Sequence, residues 1–180
     1  MRHARRMIPQ DLRAKASQRI VQHALSHPLF SNLSCIAGYV AMNDELDVMP
    51  LLKQLAGRGV TLALPRIDSL QNLLQFHVWR EGEALIAHPK LCVHEPSVNS
   101  TRITPVIILT PLLAYDAVGT RLGYGGGWYD RTLHHLRHMP QPPLVIGIGY
   151  RCQHYESLPR DAQDEPLDGI LHEEGLELFS

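Results

Sequence analysis

The stretch CIAGYVAMNDELDVMPLLKQLAGRGVTLALP, residues 35–65, decides the fold. Residues 35–42 form a short apolar run with strand-forming residues, and NDELD (43–47) follows as a polar loop. From Val48 to Ala56 the pattern becomes helical and closes at Gly57 and Gly59. VTLALP (60–65) then resumes a strand after a short turn. A strand, a helix and a strand joined by short connections make a βαβ unit, and its crossover leaves the two strands parallel neighbours in one sheet.

The neighbouring segments extend this unit. Upstream, Pro9 suits a first helical turn, and Leu12, Ala16, Ile20 and Ala24 recur near the helical period until Ser26, His27 and Pro28 stop it. Downstream, LLQFHVW (73–79) reads as a strand, and residues 80–101 as a turn-rich excursion carrying Pro89 and Pro96, placed over one end of the sheet. VIILTPLLAYD (106–116) begins as a continuous apolar strand fit for a sheet centre and breaks at Pro111. A helix from about Trp128 to Met139 and a buried strand PLVIGIGY (143–150) follow. LPRDAQDEPLDGILHEEG (158–175) reads as polar and turn-rich, with apolar touches at Leu167 and Ile170. With no internal repeat and no boundary, the expectation is one domain over residues 1–180, an α/β/α sandwich around a mostly parallel sheet.

Composition excludes several classes. The 180 residues are 44% hydrophobic and 19% charged, a globular balance, and no apolar run is long enough to span a bilayer. MRHARRMIPQDLR is basic but has no apolar region after it, so a secretory signal is not expected and a cytoplasmic location is. Seventeen Lys and Arg balance 18 Asp and Glu, which leaves no global attraction for nucleic acid or an anionic membrane. A monomer is the expected state. Cys35, Cys92 and Cys152 are too widely spaced for a disulfide framework or a metal motif. His134 and His138 are i, i+4 neighbours on a polar helix face; solvated side chains are expected there, with adventitious zinc the alternative.

One segment carries chemistry. RLGYGGGWYDR, Arg121 to Arg131, sets Gly123, Gly125, Gly126 and Gly127 before the start of a helix, after an apolar strand. Glycines remove Cβ atoms from the approach side and let successive N–H groups converge on an anion, and the helix N-terminus adds partial positive charge. Arg121 and Arg131 have donors suited to phosphate oxygens. A flexible turn without a ligand is the plain alternative. Trp128 and Tyr129 stand where a nucleotide P-loop needs Lys and Ser or Thr, and the dinucleotide fingerprint does not fit. Asp130 is placed either to cap the helix or to meet a hydrated Mg²⁺ bridging phosphates; a second acid would come from Asp161, Asp164 or Asp168.

TPLLAYDAVGTRLGYGGGWYDR (110–131) resembles the signature of the 5-formyltetrahydrofolate cyclo-ligase, or methenyltetrahydrofolate synthetase, family. MNDELD (42–47), ALPR (63–66), HEP (94–96), IGIGY followed by Gln153, and LPRDAQDEPLD (158–168) match it in order and spacing along nearly the whole chain. The resemblance implies ATP- and Mg²⁺-dependent closure of 5-formyltetrahydrofolate to 5,10-methenyltetrahydrofolate with release of ADP and phosphate. In the mechanism it implies, the formyl oxygen attacks the γ-phosphorus, N10 adds to the activated carbon, and phosphate leaves. It further implies an ATP loop made of Arg121, Leu122, Gly123, Tyr124, Gly125, Gly126, Gly127, Trp128 and Tyr129, with Arg121, Tyr129 and Asp130 at the chemistry. Asp130 and Asp164 are the implied metal-site acids, with Asp168 in reserve, and Val40 and Glu45 the implied folate contacts. Trp128 also reads as a wall residue. Where the family carries a longer basic helix, this sequence offers Arg2, Arg5 and Arg6 for the nucleotide, and a non-catalytic folate- or nucleotide-binding protein on the same scaffold is the alternative.

Overall fold

Short connections force the chain to alternate between sheet and covering layer. The computed structural model describes residues 2–179, with side chains described from Ala4 to Phe179. In chain order the elements are α1 (Arg2–Arg6), α2 (Gln10–Ser26), β1 (Cys35–Ala37), α3 (Met49–Ala56), β2 (Thr61–Asp68), β3 (Leu73–Val78), β4 (Ile86–Ala87), β5 (His94–Glu95), β6 (Ile107–Pro111), β7 (Ala114–Tyr115), β8 (Arg121–Leu122), α4 (Trp128–Arg137), β9 (Leu144–Ile148), β10 (Gly169–His172) and β11 (Gly175–Leu178). Seven strands form the main sheet in the order β3-β2-β1-β6-β9-β10-β11. The inner five run parallel, and β3 and β11 close the edges antiparallel. The βαβ reading of residues 35–65 is met: Cys35, Ile36 and Ala37 pair in parallel with Thr61, Leu62 and Ala63.

Alternation along the strands builds two cores. Ile36, Leu62, Leu64, Ile107, Leu109, Ile146 and Ile148 face the side covered by α2 and α3, where Ala16, Ile20, Ala24, Leu51, Leu52 and Leu55 are buried. Cys35, Ala37, Ala63, Ile108 and Val145 face the other side, where α4 supplies Leu133 and Leu136. Each fully buried Leu or Ile contributes about 1.5–3 kcal/mol of transfer free energy, so both faces are needed to offset the entropy of ordering the sheet.

Two expectations are corrected. The first strand stops at Ala37 rather than Met42, because α3 packs against Gly38, where a Cβ would come 2.5 Å from Leu52 Cδ1. The chain then turns away, and the Tyr39 hydroxyl donates to Leu46 O. The expected break at Pro111 is met: β6 ends there, and the chain goes on into one arm of a small hairpin, β7 against β8. The C-terminal segment is not merely turns: Gly169–His172 is fully buried and extends the parallel sheet beside β9, and Gly175–Leu178 forms its edge. Asp168 anchors that extension, with Oδ2 accepting from Val145 N at 2.7 Å.

Candidate active site

The sheet topology chooses where a ligand goes. From β1 the chain passes through α3 to β2, and from β6 it passes through α4 to β9 on the opposite side. β1 and β6 are neighbours, so the loops after them diverge and leave a crevice beyond their carboxyl ends, the general ligand position in open α/β sheets. The loop after β1 carries Val40, Asp44 and Glu45; the connection after β6 carries residues 121–130.

The hairpin aims the glycine segment. Asp116 Oδ1 accepts from the N–H groups of Val118 and Thr120, which shapes the turn between β7 and β8, and Oδ2 accepts from Leu158 N. The hairpin therefore delivers Arg121, 7% exposed, to the base of the loop. Arg121 Nη2 donates to Asp130 Oδ1 in the first turn of α4, so one ion pair closes the loop across its ends. Arg121 Nε is buried without a hydrogen-bond partner, and its guanidinium lies 5.6 Å from the centre of the Tyr129 ring. Burial raises the Tyr129 hydroxyl pKa, and the Arg121 charge opposes that rise. Gly125 has φ +88° and meets nothing where a Cβ would stand, so it leaves open space at the tip. Gly127, with φ +63°, is the N-cap of α4 and provides no side-chain cap, which leaves the first N–H groups of the helix for an external acceptor.

Arg131 has a different task from the one expected of it. It donates to Asn72 O and Gly126 O and lies 5.0 Å from the Trp128 ring centre, so it braces the loop from behind. Trp128 is half-buried beneath this brace, consistent with a wall.

The N-terminal helix reaches the same crevice. Arg5 is 3% exposed and all three of its guanidinium nitrogens are engaged: Nε with Asp44 Oδ2 at 2.9 Å, Nη1 with Leu112 O at 3.2 Å, and Nη2 with Tyr124 OH at 2.8 Å and Asp44 Oδ1 at 3.4 Å. Arg6 is exposed, and the side chain of Arg2 lies outside the described residues. Glu45, 6% exposed, uses Oε2 to accept from Met42 N at 2.8 Å. The Tyr124 hydroxyl is pushed up to about 12 by burial and by Glu45, with Arg5 pulling against them. Val40 packs, half-buried, against the core under α3.

The acids of residues 161–168 separate by environment. Asp168 accepts from Arg137 and from Val145 N, as a clamp between α4 and the sheet. Asp161 is exposed, and its N–H donates to Asp164 Oδ2 at 2.7 Å. Glu165 pairs with His134 and Arg137, which fastens this loop to α4. His134 lies one helical turn beyond Asp130, so the loop carrying Asp164 is tied to the helix face that begins at Asp130. Among the described residues no group of three or more His, Cys, Asp or Glu could enclose a metal. A Mg²⁺ ion needs less, since it takes one or two carboxylates and leaves its other positions to water and phosphate.

Sequence reasoning gave no role to two residues of this arrangement. Asp44 was read only as part of a polar loop, and its partner Arg5 lies 39 positions away, so no local spacing announces the pair. Gln153, 2% exposed, donates to Leu112 O and Leu113 O and accepts from Tyr150 N, joining the exits of β6 and β9.

Known proteins resemble this chain along almost its whole length. The model of the 5-formyltetrahydrofolate cyclo-ligase family matches residues 1–173. The 5-formyltetrahydrofolate cyclo-ligase of Escherichia coli K12 is 31% identical over 177 residues, 95% of each chain, and that of Mus musculus is 24% identical over 94% of this chain and 88% of its own. The NMR structure of Aquifex aeolicus 5,10-methenyltetrahydrofolate synthetase superposes with a TM-score of 0.80 at 28% identity, covering 98% of this chain and 87% of that one.

Proposed function

The chain belongs to the 5-formyltetrahydrofolate cyclo-ligase family, and we propose that it converts 5-formyltetrahydrofolate and ATP into 5,10-methenyltetrahydrofolate, ADP and phosphate. The observation that carries this reading is the meeting, in one crevice, of an uncapped glycine loop and a buried carboxylate, Glu45. The loop, Arg121 to Tyr129, takes the ATP phosphates, with Arg2, Arg5 and Arg6 on the nucleotide side. Glu45 accepts from the amino and N–H donors of the pterin, and Val40 lines that side.

The substrate supplies both nucleophiles. Its formyl oxygen takes the γ-phosphoryl group as ADP leaves; N10 then bonds to the activated carbon, and the C–O bond breaks to release phosphate. The protein's share is positioning and charge neutralisation, as in other phosphoryl transfers. Arg121 faces the developing negative charge, Tyr129 forms the wall beside it, and Asp130 and Asp164 would hold Mg²⁺, which when bound neutralises phosphate charge. The reading includes a monomer working in the cytoplasm; among the described residues no helix is long and apolar enough to cross a membrane.

Incubating the protein with 5-formyltetrahydrofolate, ATP and Mg²⁺ is expected to generate the methenyl chromophore with one ADP per turnover. Tight binding of either ligand without product would overturn the enzymatic reading and leave a binding protein. Asp130→Asn is expected to lower kcat by about a hundredfold or more, the scale of a lost charge-stabilising group, while the protein remains folded by circular dichroism. Unchanged turnover would remove the metal role of Asp130.

A further inference from the structure

The Arg5–Asp44 pair does more than stand on the nucleotide side, because the Arg5 guanidinium is already bonded to Asp44, Leu112 O and the Tyr124 hydroxyl. We propose that Asp44 and Arg5 form a positioning relay that couples the glycine loop to the Glu45 turn, so that occupancy of one ligand site sets the affinity of the other. This rests on the assignment of those two segments to ATP and folate.

The connectivity carries the proposal. Arg5 stands on α1 and joins three segments distant in sequence: the turn after β1 through Asp44, the exit of β6 through Leu112 O, and the glycine loop through the Tyr124 hydroxyl. One nitrogen, Nη2, serves Asp44 Oδ1 and Tyr124 OH together, so a displacement of Tyr124 changes one of the two bonds that hold Asp44. Asp44 is the chain neighbour of Glu45, and both lie within the tight turn closed by Glu45 N donating to Met42 O. A displacement of the guanidinium is thus transmitted to the Glu45 carboxylate through the peptide unit that joins it to Asp44. Burial makes the link stiff. A solvent-exposed pair would be worth little and would relax freely, whereas Arg5 and Asp44, 3% and 6% exposed, cannot separate without leaving a charge unpaired away from water. Tyr124 sits at the other end of this link, 39% exposed, where an entering nucleotide meets it first. Glu45 also acts directly on the Tyr124 hydroxyl, by hydrogen bonding and by charge, so the two ends of the relay sense each other.

The test measures binding on the full chain, independently of turnover. The dissociation constant of 5-formyltetrahydrofolate is determined by calorimetry with and without a saturating non-hydrolysable ATP analogue and Mg²⁺. For the wild-type protein the ratio of the two constants is expected to differ from one by about fivefold or more, within the usual range of coupling between sites. In Asp44→Asn, Arg5→Lys and Tyr124→Phe the ratio should fall to within about twofold of one. Arg5→Lys keeps the charge but loses the fork, so retention of the full ratio in that variant would show a charge effect and overturn the relay. Tyr124→Phe changes only a hydroxyl on a partly exposed ring and guards against misfolding. The double variant Asp44→Asn with Tyr124→Phe should be no worse than either single one, because both changes break the same chain through Arg5. Additive losses, an unchanged ratio in the variants, or a wild-type ratio of one would overturn the proposal. Coupled binding without methenyl product would instead sink the enzymatic reading and leave the relay standing, while failure of the wild-type protein to bind folate would overturn both.

Discussion

Asp44 shows how one residue's chemistry is rewritten by its surroundings. Burial alone would raise its pKa, but the Arg5 guanidinium bonds and attracts the carboxylate strongly enough to bring it below the ordinary value of 3.8. The folded state therefore favours the ionised form, and the stability this confers is present above the unfolded pKa and lost as pH falls through the lowered folded value. Urea titrations between about pH 3 and 6 are expected to show a steeper acid loss for the wild-type protein than for Asp44→Asn; equal pH slopes would mean that the pair does not stabilise the fold. Two other acids make a contrasting pair. Asp168→Asn should cost about 1–2 kcal/mol of stability, since its carboxylate serves Val145 N and a half-exposed Arg137. Asp164→Asn should stay within about 0.5 kcal/mol of the wild-type stability yet depress turnover, because its Oδ2 does no more than accept from a neighbouring N–H in an exposed loop. Denaturation curves and the methenyl assay together separate the two roles, and a reversal of the pattern would move the metal site to Asp168.

At the scale of elements, the glycine segment and α4 act as one unit. The sequence already marked this loop as an anion-binding turn, since the glycine spacing and the following helical period are local signals. The hairpin before it was not legible: β7 and β8 have two residues each, too short for any periodicity, and their pairing depends on Asp116 gathering N–H groups from its own turn and from Leu158. Nor could local reading distinguish Arg121, which closes the loop, from Arg131, which braces it from behind. A substitution tests the unit. Gly125→Ala meets no atoms but keeps a positive φ unfavourable to a side chain, so a stability loss of about 1 kcal/mol is expected. The added methyl also stands in the open approach to the loop, and KM for ATP should rise about tenfold while KM for folate changes by less than about threefold. Equal effects on both constants would show that the tip of the loop does not discriminate between the ligands.

At the scale of the whole molecule, the C-terminal strands are part of the structural frame. Leu171 is fully buried, pairs with Ile148 across the parallel junction of β10 and β9, and belongs to the core under α2. Leu171→Ala is therefore expected to destabilise the protein by about 2–4 kcal/mol in a single cooperative transition with an unchanged denaturant slope; a change under 0.5 kcal/mol would mean that the segment is a peripheral tail. The sequence by itself determined the parallel α/β layering, because the switch between strand-like runs and helical periods is written in neighbouring residues and short connections leave few ways to join them. It also determined that a glycine loop opens the last helix, because those signals are contiguous. Only the tertiary structure decided that GILH is a central-sheet extension, that Asp168 is a clamp, and that Arg5 reaches Asp44 and Tyr124. Those outcomes depend on groups 23 to 119 positions apart meeting out of water, where an unpaired charge or N–H would be costly, and that cost has no signature along the chain.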